Sequence, residues 1–437
     1  MGFVFFLLVT ATLFLRPSEI VPDLQGFRIY EVLMIGSLIL LRKEIFEALR
    51  PSAIRAQPIT LCVVLMAAAI AVSHLQHVYL YGAKWGLEIY YKTALYYLML
   101  VGCVTTPSRL LALLFTVCLC GTAMVGLCVI DYFGIVDFEF VTHITDREGS
   151  VSETNEEVMV WRMRGTGIFE DPNDICLVIT SCTVLCAYFA LNHCPGWWKV
   201  LWLAPLGVLM TGMLCTHSRG GLLSLVAAML VLMTFRYGSR IAIAAVLVGV
   251  PGMLVMGTRQ TSIDLEEGTA QDRIQLWSDG LDALKSADFF FGIGMGEYGD
   301  MAGLVAHNSF VHAYTELGIV GGTLFFGMFY FAFLELYRFR YVSREVPART
   351  LRRFHPFLFA MLTGWTMGLM SLSRCYVVPT YLVIGLVAAF QNQAGAVLVP
   401  PRVFAFLDTR HIVRWAGASV CCLAGFFVFV KLFARWG

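Results

Sequence analysis

Four short polar elements in this chain hold residue types that could carry out a transfer reaction; three stand at the edge of a long apolar run and one lies within a polar loop. His307-Asn308 closes the Gly-rich stretch Phe291–Gly303 and its continuation, then leads straight into apolar sequence. Arg219 lies in Thr216-His217-Ser218-Arg219-Gly220-Gly221, and Arg273 lies in Gln271-Asp272-Arg273, followed by Trp277. Arg164 stands just before Gly167-Ile168-Phe169-Glu170-Asp171-Pro172-Asn173, and Arg374 stands between two later apolar runs. Ionisable residues at a membrane boundary are costly to keep and by default point to function. Imidazole is suited to taking a proton near neutral pH. Arginine offers a rigid, permanently charged fork that matches phosphate oxygens, and helix N-termini add unpaired N–H groups. A histidine with several arginines therefore suits attack by a hydroxyl on a carbon whose leaving group is a diphosphate. No Asp-x-Asp is present; the nearest strings are Asp137-Phe138-Glu139 and Asp264-Leu265-Glu266. The charge of the leaving group is expected to be met by arginines, with no metal and no cofactor.

Each residue also has a plainer reading. His307 could simply precede a helix capped by Asn308. Arg219 could be a snorkelling interface residue. Arg273 could pair with Asp272 or Asp279 in a solvated loop, and Arg164 with Glu170 or Asp171. His312, one turn past His307, reads as a packing or supporting group, and Gly318, Gly321 and Gly322 as positions where helices approach closely.

The rest of the chain defines what must position these residues. Of its 437 residues 58% are hydrophobic and only 14% charged, and the mean hydropathy is +0.74. That is a membrane composition. Apolar runs long enough to cross a bilayer as helices are predicted near 1–15, 28–41, 58–80, 85–104, 110–130, 174–192, 200–216, 220–235, 241–257, 308–336, 354–372, 376–395 and 414–433. The fold expected is all-α, a polytopic membrane bundle of about 12–13 transmembrane helices forming a single membrane domain over 1–437. Met1–Leu15 lacks a basic leading segment and a small-residue cleavage site, so an uncleaved helix is expected there. Arg42, Lys43, Arg50 and Arg55, then Arg236 and Arg240, then Arg338, Arg340 and Arg344, then Arg402 and Arg410, all sort to one side. By the positive-inside rule that side is the cytoplasm. The loops near 131–173 and 258–306 fall on the other face, together with Arg164, Arg219, Arg273, His307 and Arg374. The thirteen cysteines lie mostly within apolar runs and suggest neither a disulfide framework nor a metal site. A net charge of +1 gives no reason to expect nucleic acid as a partner.

The ordered elements resemble a family. Gly167-Ile168-Phe169-Glu170-Asp171-Pro172-Asn173, Thr216-His217-Ser218-Arg219-Gly220, Arg273 with Trp277, and Gly292-Ile293-Gly294 … His307-Asn308 … Glu316-Leu317-Gly318-Ile319-Val320-Gly321 are similar to motifs of the O-antigen ligase/polymerase superfamily of bacterial surface polysaccharides. By motif the resemblance covers roughly residues 160–325. It implies a GT-C-like, all-helical glycosyltransferase of the bacterial inner membrane, with a large periplasmic loop before the His-Asn helix. The implied donor is an undecaprenyl-diphosphate-linked glycan, and the implied acceptor is lipid A–core or a growing glycan. By position, His307 matches the family's essential histidine, and Arg219 and Arg273 match its diphosphate-binding arginines. Arg164, Asn173, Asn308 and Arg374 are supporting candidates. The resemblance further implies metal-independent transfer with inversion. The sequence departs from the family in one respect, an extra helix near 414–433. The rival expectation is a polytopic solute or bicarbonate-type transporter. A carrier should hold ion-binding groups near the bilayer midplane, whereas the polar residues here gather at one face.

Overall fold

The computed structural model describes residues 1–151, 157–245, 247 and 269–434. We number its longer helices in chain order: α1 Gly2–Leu15, α2 Ile29–Leu40, α3 Pro58–Leu75, α4 Leu80–Cys103, α5 Pro107–Tyr132, α6 Pro172–Asn192, α7 Leu203–Cys215, α8 Arg219–Tyr237, α9 Thr269–Ala283, α10 Ser309–Val342, α11 Arg349–Leu369, α12 Val378–Ala396 and α13 Thr409–Phe433. Among the described residues, seven helices are long and apolar enough to cross a membrane. They are α3, α5, α6, α8, α10, α13 and the stretch Gly196–Cys215 that ends in α7; the shorter α1 and α2 are also apolar. Every predicted span is matched by a helix except that near 241–257, most of which lies outside the described residues, as do Asp264-Leu265-Glu266. The fold is an all-α polytopic membrane bundle.

Helix starts follow local chemistry. Proline, whose missing N–H is harmless in a first turn, opens α3, α5 and α6. The side chains of Thr106, Asp171, Ser218, Asn308 and Asp408 accept from backbone N–H groups at the starts of α5, α6, α8, α10 and α13. Each such cap satisfies a donor that the helix itself cannot.

Two stretches expected as loops carry structure. Within 131–173, Ile144–Val151 (β1) and Glu157–Arg162 (β2) pair antiparallel, with Ile144 opposite Arg162. Within 258–306, Gln271, Asp272 and Arg273 lie on α9 and not in a loop. That helix buries Ile274, Ser278 and Leu281 at helical spacing, so a narrow apolar stripe holds an otherwise polar segment.

The chain divides into two compact units. The first comprises Met1–Leu41, Thr106–Ile263 and Arg349–Gly368. Its core is built by α6, which packs against α5, α7 and α8. A Cβ on Gly364 of α11 would come within 3.0 Å of Ala228 and Thr180, and Ser224 Oγ donates to the Gly364 carbonyl at 2.6 Å. The second unit comprises Arg42–Thr105, Asp264–Ala348 and Leu369–Gly437. There α10 packs against α3, α9, α12 and α13, and α12 packs against α4.

Candidate active site

The first unit carries Arg164, Asn173 and Arg219. A polar chain ties the start of α6 to the start of α8. Asp171 Oδ1 accepts from Asn173 N at 2.7 Å and from Asn173 Nδ2 at 2.8 Å. Asn173 Oδ1 accepts from Ser218 Oγ at 2.5 Å, and Ser218 Oγ accepts from Gly221 N at 2.9 Å. Asn173 is thus a strut between two helix N-termini. Gly221 is required at this contact, because a Cβ there would lie 2.3 Å from Cys176 Sγ. Arg219 occupies the first position of α8, half-buried, directly after the Ser218 cap. Beneath it, Arg162 Nε donates to the Thr216 carbonyl at 3.0 Å and Met163 N to the Cys215 carbonyl at 2.9 Å. The hairpin's second strand therefore fixes the chain that leads into Arg219. Arg164 donates through Nε to the backbone carbonyl of Glu170, which is the neighbour anticipated, though through main chain and not carboxylate.

The second unit carries Arg273, His307, Asn308 and Arg374, and three of these meet around the first turn of α10. Asn308 is fully buried, and its Oδ1 accepts from Phe310 N at 3.0 Å and Val311 N at 3.3 Å. The capping role is real. His307, one residue earlier, has a left-handed backbone with φ 49°. His217 stands in the same relation to the Ser218 cap and also has φ 49°. A left-handed non-glycine residue carries strain, and such residues cluster at functional sites. Trp277, one turn beyond Arg273 on α9, donates from Nε1 to the Ala306 carbonyl at 2.7 Å. The spacing of Arg273 and Trp277 thus puts an indole against the residue preceding His307. Arg374 joins through its backbone: its N–H donates to Ser309 Oγ at 2.8 Å, and its carbonyl accepts from Thr380 Oγ1 at 2.9 Å.

The hub of this unit is Glu316, which sequence reasoning quoted as a motif letter and gave no role. It is fully buried. Its Oε1 accepts from Gly296 N at 2.8 Å and lies 2.9 Å from His312 Nε2. Its Oε2 accepts from Tyr376 OH at 2.8 Å. His312 stacks on Tyr298 with ring centres 5.2 Å apart, and Tyr298 OH donates to the Leu276 carbonyl of α9 at 2.7 Å. The supporting role expected of His312 is what the packing gives it.

The glycines of the motif have a specific task here. Gly318, within α10, is non-helical with φ 63° and ψ −169°. That opening frees backbone groups, which the Gly-rich segment takes up. Ile293 N donates to the Thr315 carbonyl at 3.1 Å, Gly294 N to the Glu316 carbonyl at 3.0 Å, and Val320 N to the Phe290 carbonyl at 3.2 Å. A Cβ on Gly292 or Gly318 would meet facing backbone at 2.3 Å. Gly318 therefore breaks the helix and admits a neighbouring backbone, a different use from the helix–helix approach expected.

The C-terminal helix α13 supports the same region. Tyr314 OH and Ser419 Oγ are 2.7 Å apart, as are Thr323 Oγ1 and Ser419 Oγ, and Trp415 Nε1 donates to the Thr323 carbonyl at 3.0 Å. Phe426 and Phe429 flank the Trp277 ring.

Fold and motif together define a multi-pass membrane protein that carries polar groups at helix N-termini in each of its two units. Residues 203–326 match the family model described as O-antigen ligase. That stretch includes Arg219, Arg273 and His307, and the match supports the resemblance to the O-antigen ligase/polymerase superfamily read from the motifs. No curated protein matches the chain.

Proposed function

We propose that the protein is a membrane glycosyltransferase that moves a glycan from an undecaprenyl-diphosphate carrier to an acceptor hydroxyl at the periplasmic face of the bacterial inner membrane. The observation that carries this reading is His307 at a left-handed step before the Asn308 cap, braced from α9 by Trp277, within the family-matched stretch. In this reaction the acceptor hydroxyl gives its proton to His307. Its oxygen bonds to the anomeric carbon from the face opposite the carrier, which inverts that centre. The bond from the anomeric carbon to the diphosphate oxygen breaks, and its electron pair leaves with the diphosphate. Arg219 and Arg273 hold that growing charge, the kind of fixed electrostatic support that lowers such barriers without a metal. Arg164, Asn173, Asn308 and Arg374 position the elements around them. The acceptor is a lipid A–core sugar in a ligase and the end of another lipid-linked chain in a polymerase. Loss of long chains from lipid A–core with carrier-linked polymer retained, in a deletion strain, identifies the ligase. A core bearing a single repeat unit identifies the polymerase.

Arginine variants test the chemistry. Arg219→Ala and Arg273→Ala should each remove most transfer while the protein still inserts. Lysine at either position should rescue only in part, since a point charge does not reproduce the bidentate fork. Normal polymer levels in both alanine variants would place diphosphate binding elsewhere.

Orientation is tested separately. A reporter fused after Arg344 should read cytoplasmic and one fused after Glu267, which lies outside the described residues, periplasmic. Both on one side would remove the basis for a periplasmic site.

A further inference from the structure

A second polar site lies in the second unit, at the far end of α10 from His307. A cavity of about 240 Å³ is lined by Gln57, Glu335, Gln391, Asn392 and Arg402, with Phe404 at its side. Its floor is buried and its mouth is open: Glu335 is 1% exposed and Gln391 4%, whereas Asn392 and Arg402 are exposed. Among the described residues, Glu335 Oε2, Gln57 Oε1 and both polar atoms of the Gln391 side chain make no hydrogen bond. The other end of the Gln57 amide is engaged, with Nε2 donating to the Ala388 carbonyl at 3.3 Å and to Asn392 Oδ1 at 3.2 Å.

Four orphaned polar atoms around one cavity are not what a packed interior tolerates, because each lost hydrogen bond is costly. Three of them are acceptors or able to accept, and one belongs to a carboxylate. The complement is a small cation rich in N–H donors. At the rim Arg402 and Glu345 pair at 3.2 Å. The unsatisfied acceptors of the floor suit a ligand that enters with its ammonium first.

Position along α10 indicates where such a ligand would come from. Beyond the break at Gly318, α10 runs on to Val342, and Glu335 stands roughly 25 Å past that break at the rise of an α-helix. With a hydrocarbon core of roughly 30 Å and the break at one boundary, Glu335 falls near the headgroup level of the other. An ionisable residue of a spanning helix generally serves a site with a partner.

We infer that this cavity binds a primary ammonium group, supplied by a phosphatidylethanolamine-type headgroup or by a soluble alkylamine. A quaternary ammonium has no N–H and cannot satisfy the orphaned acceptors, so choline headgroups serve as the control.

The test uses the purified full chain in detergent. Lipid retention from mixed micelles of phosphatidylethanolamine and phosphatidylcholine is read by native mass spectrometry. Thermal unfolding is read with ethylamine against tetramethylammonium. Preference for the ethanolamine lipid by roughly tenfold, the scale of a charge-assisted hydrogen bond, assigns the ammonium to lipid. A raised unfolding midpoint with ethylamine but not tetramethylammonium, without lipid preference, assigns it to a soluble amine. Either preference should vanish in Glu335→Gln, which keeps the shape and removes the charge, and weaken in Gln391→Leu. If the wild type shows neither preference, the cavity holds only water and the inference is wrong. It is equally wrong if Glu335→Gln retains the full preference.

Discussion

Replacing His307 with alanine is expected to abolish glycan transfer and leave binding of the lipid-linked donor intact. Loss of a positioned base costs about 10²- to 10⁴-fold in rate, while the arginines proposed to hold the diphosphate remain. The left-handed backbone at His307 offers a sharper version of the experiment. At φ 49° a side chain beyond Cβ is tolerated with strain, and glycine would relieve it. Were His307 there only to turn the chain into the Asn308 cap, His307→Gly should work at least as well as wild type. Were it the base, His307→Gly, His307→Asn and His307→Ala should all be inactive with donor binding preserved. Transfer by the purified wild type should also persist in excess EDTA. A rate that collapses with EDTA and returns with Mg²⁺ would move the leaving-group chemistry to the acidic loops. An active glycine variant would leave His307 as a backbone device.

The parts of this molecule that a sequence shows plainly are those encoded in contiguous residues. Apolar runs such as Pro58–Leu75 and Pro107–Tyr132 stand out because a span must bury its backbone polar groups within itself. The caps at Ser218 and Asn308 are visible for the same reason: their partners lie two or three residues away. A search for long hydrophobic stretches passes over α9, whose stripe of Ile274, Ser278 and Leu281 is too narrow to raise the average. It also passes over the hairpin of β1 and β2, which is built by backbone pairing across a loop. Nothing local gives away the left-handed backbones of His217 and His307. Glu316 is harder still, since Gly296, His312 and Tyr376 reach it from three separate stretches of chain. Ordered motifs bring these residues to attention, and the structure supplies the reason that the glycines at 292 and 318 belong with the glutamate at 316.

Glu316→Ala is the substitution expected to do most damage to the architecture. The carboxylate takes the Gly296 N–H, the His312 Nε2 and the Tyr376 hydroxyl. Through them it fastens the Gly-rich segment, the first turns of α10 and the stretch that carries Arg374. Removing it leaves three donors without their acceptor, and a hydrogen-bonding group left unsatisfied in the interior costs about 1–3 kcal/mol, a sizeable part of the net stability of an ordinary domain. The alanine variant should therefore accumulate poorly and unfold at a clearly lower temperature in detergent. Glu316→Gln separates charge from shape. Its amide keeps one acceptor but turns an NH₂ toward a donor, so an intermediate loss of stability with a larger loss of transfer is expected. Tyr376→Phe removes one of the partners, and combined with Glu316→Gln it should cost less than the sum of the two, because residues in one hydrogen-bond network couple by about 0.5–3 kcal/mol. Additive effects, or a Glu316→Gln protein with the wild-type midpoint and activity, would show that the carboxylate does not hold these segments together. His307 and Asn308 would then owe their placement to the helix cap and to Trp277, and the sensitive substitution would be Trp277→Phe, which keeps the ring among Phe426 and Phe429 but gives up the bond to the Ala306 carbonyl.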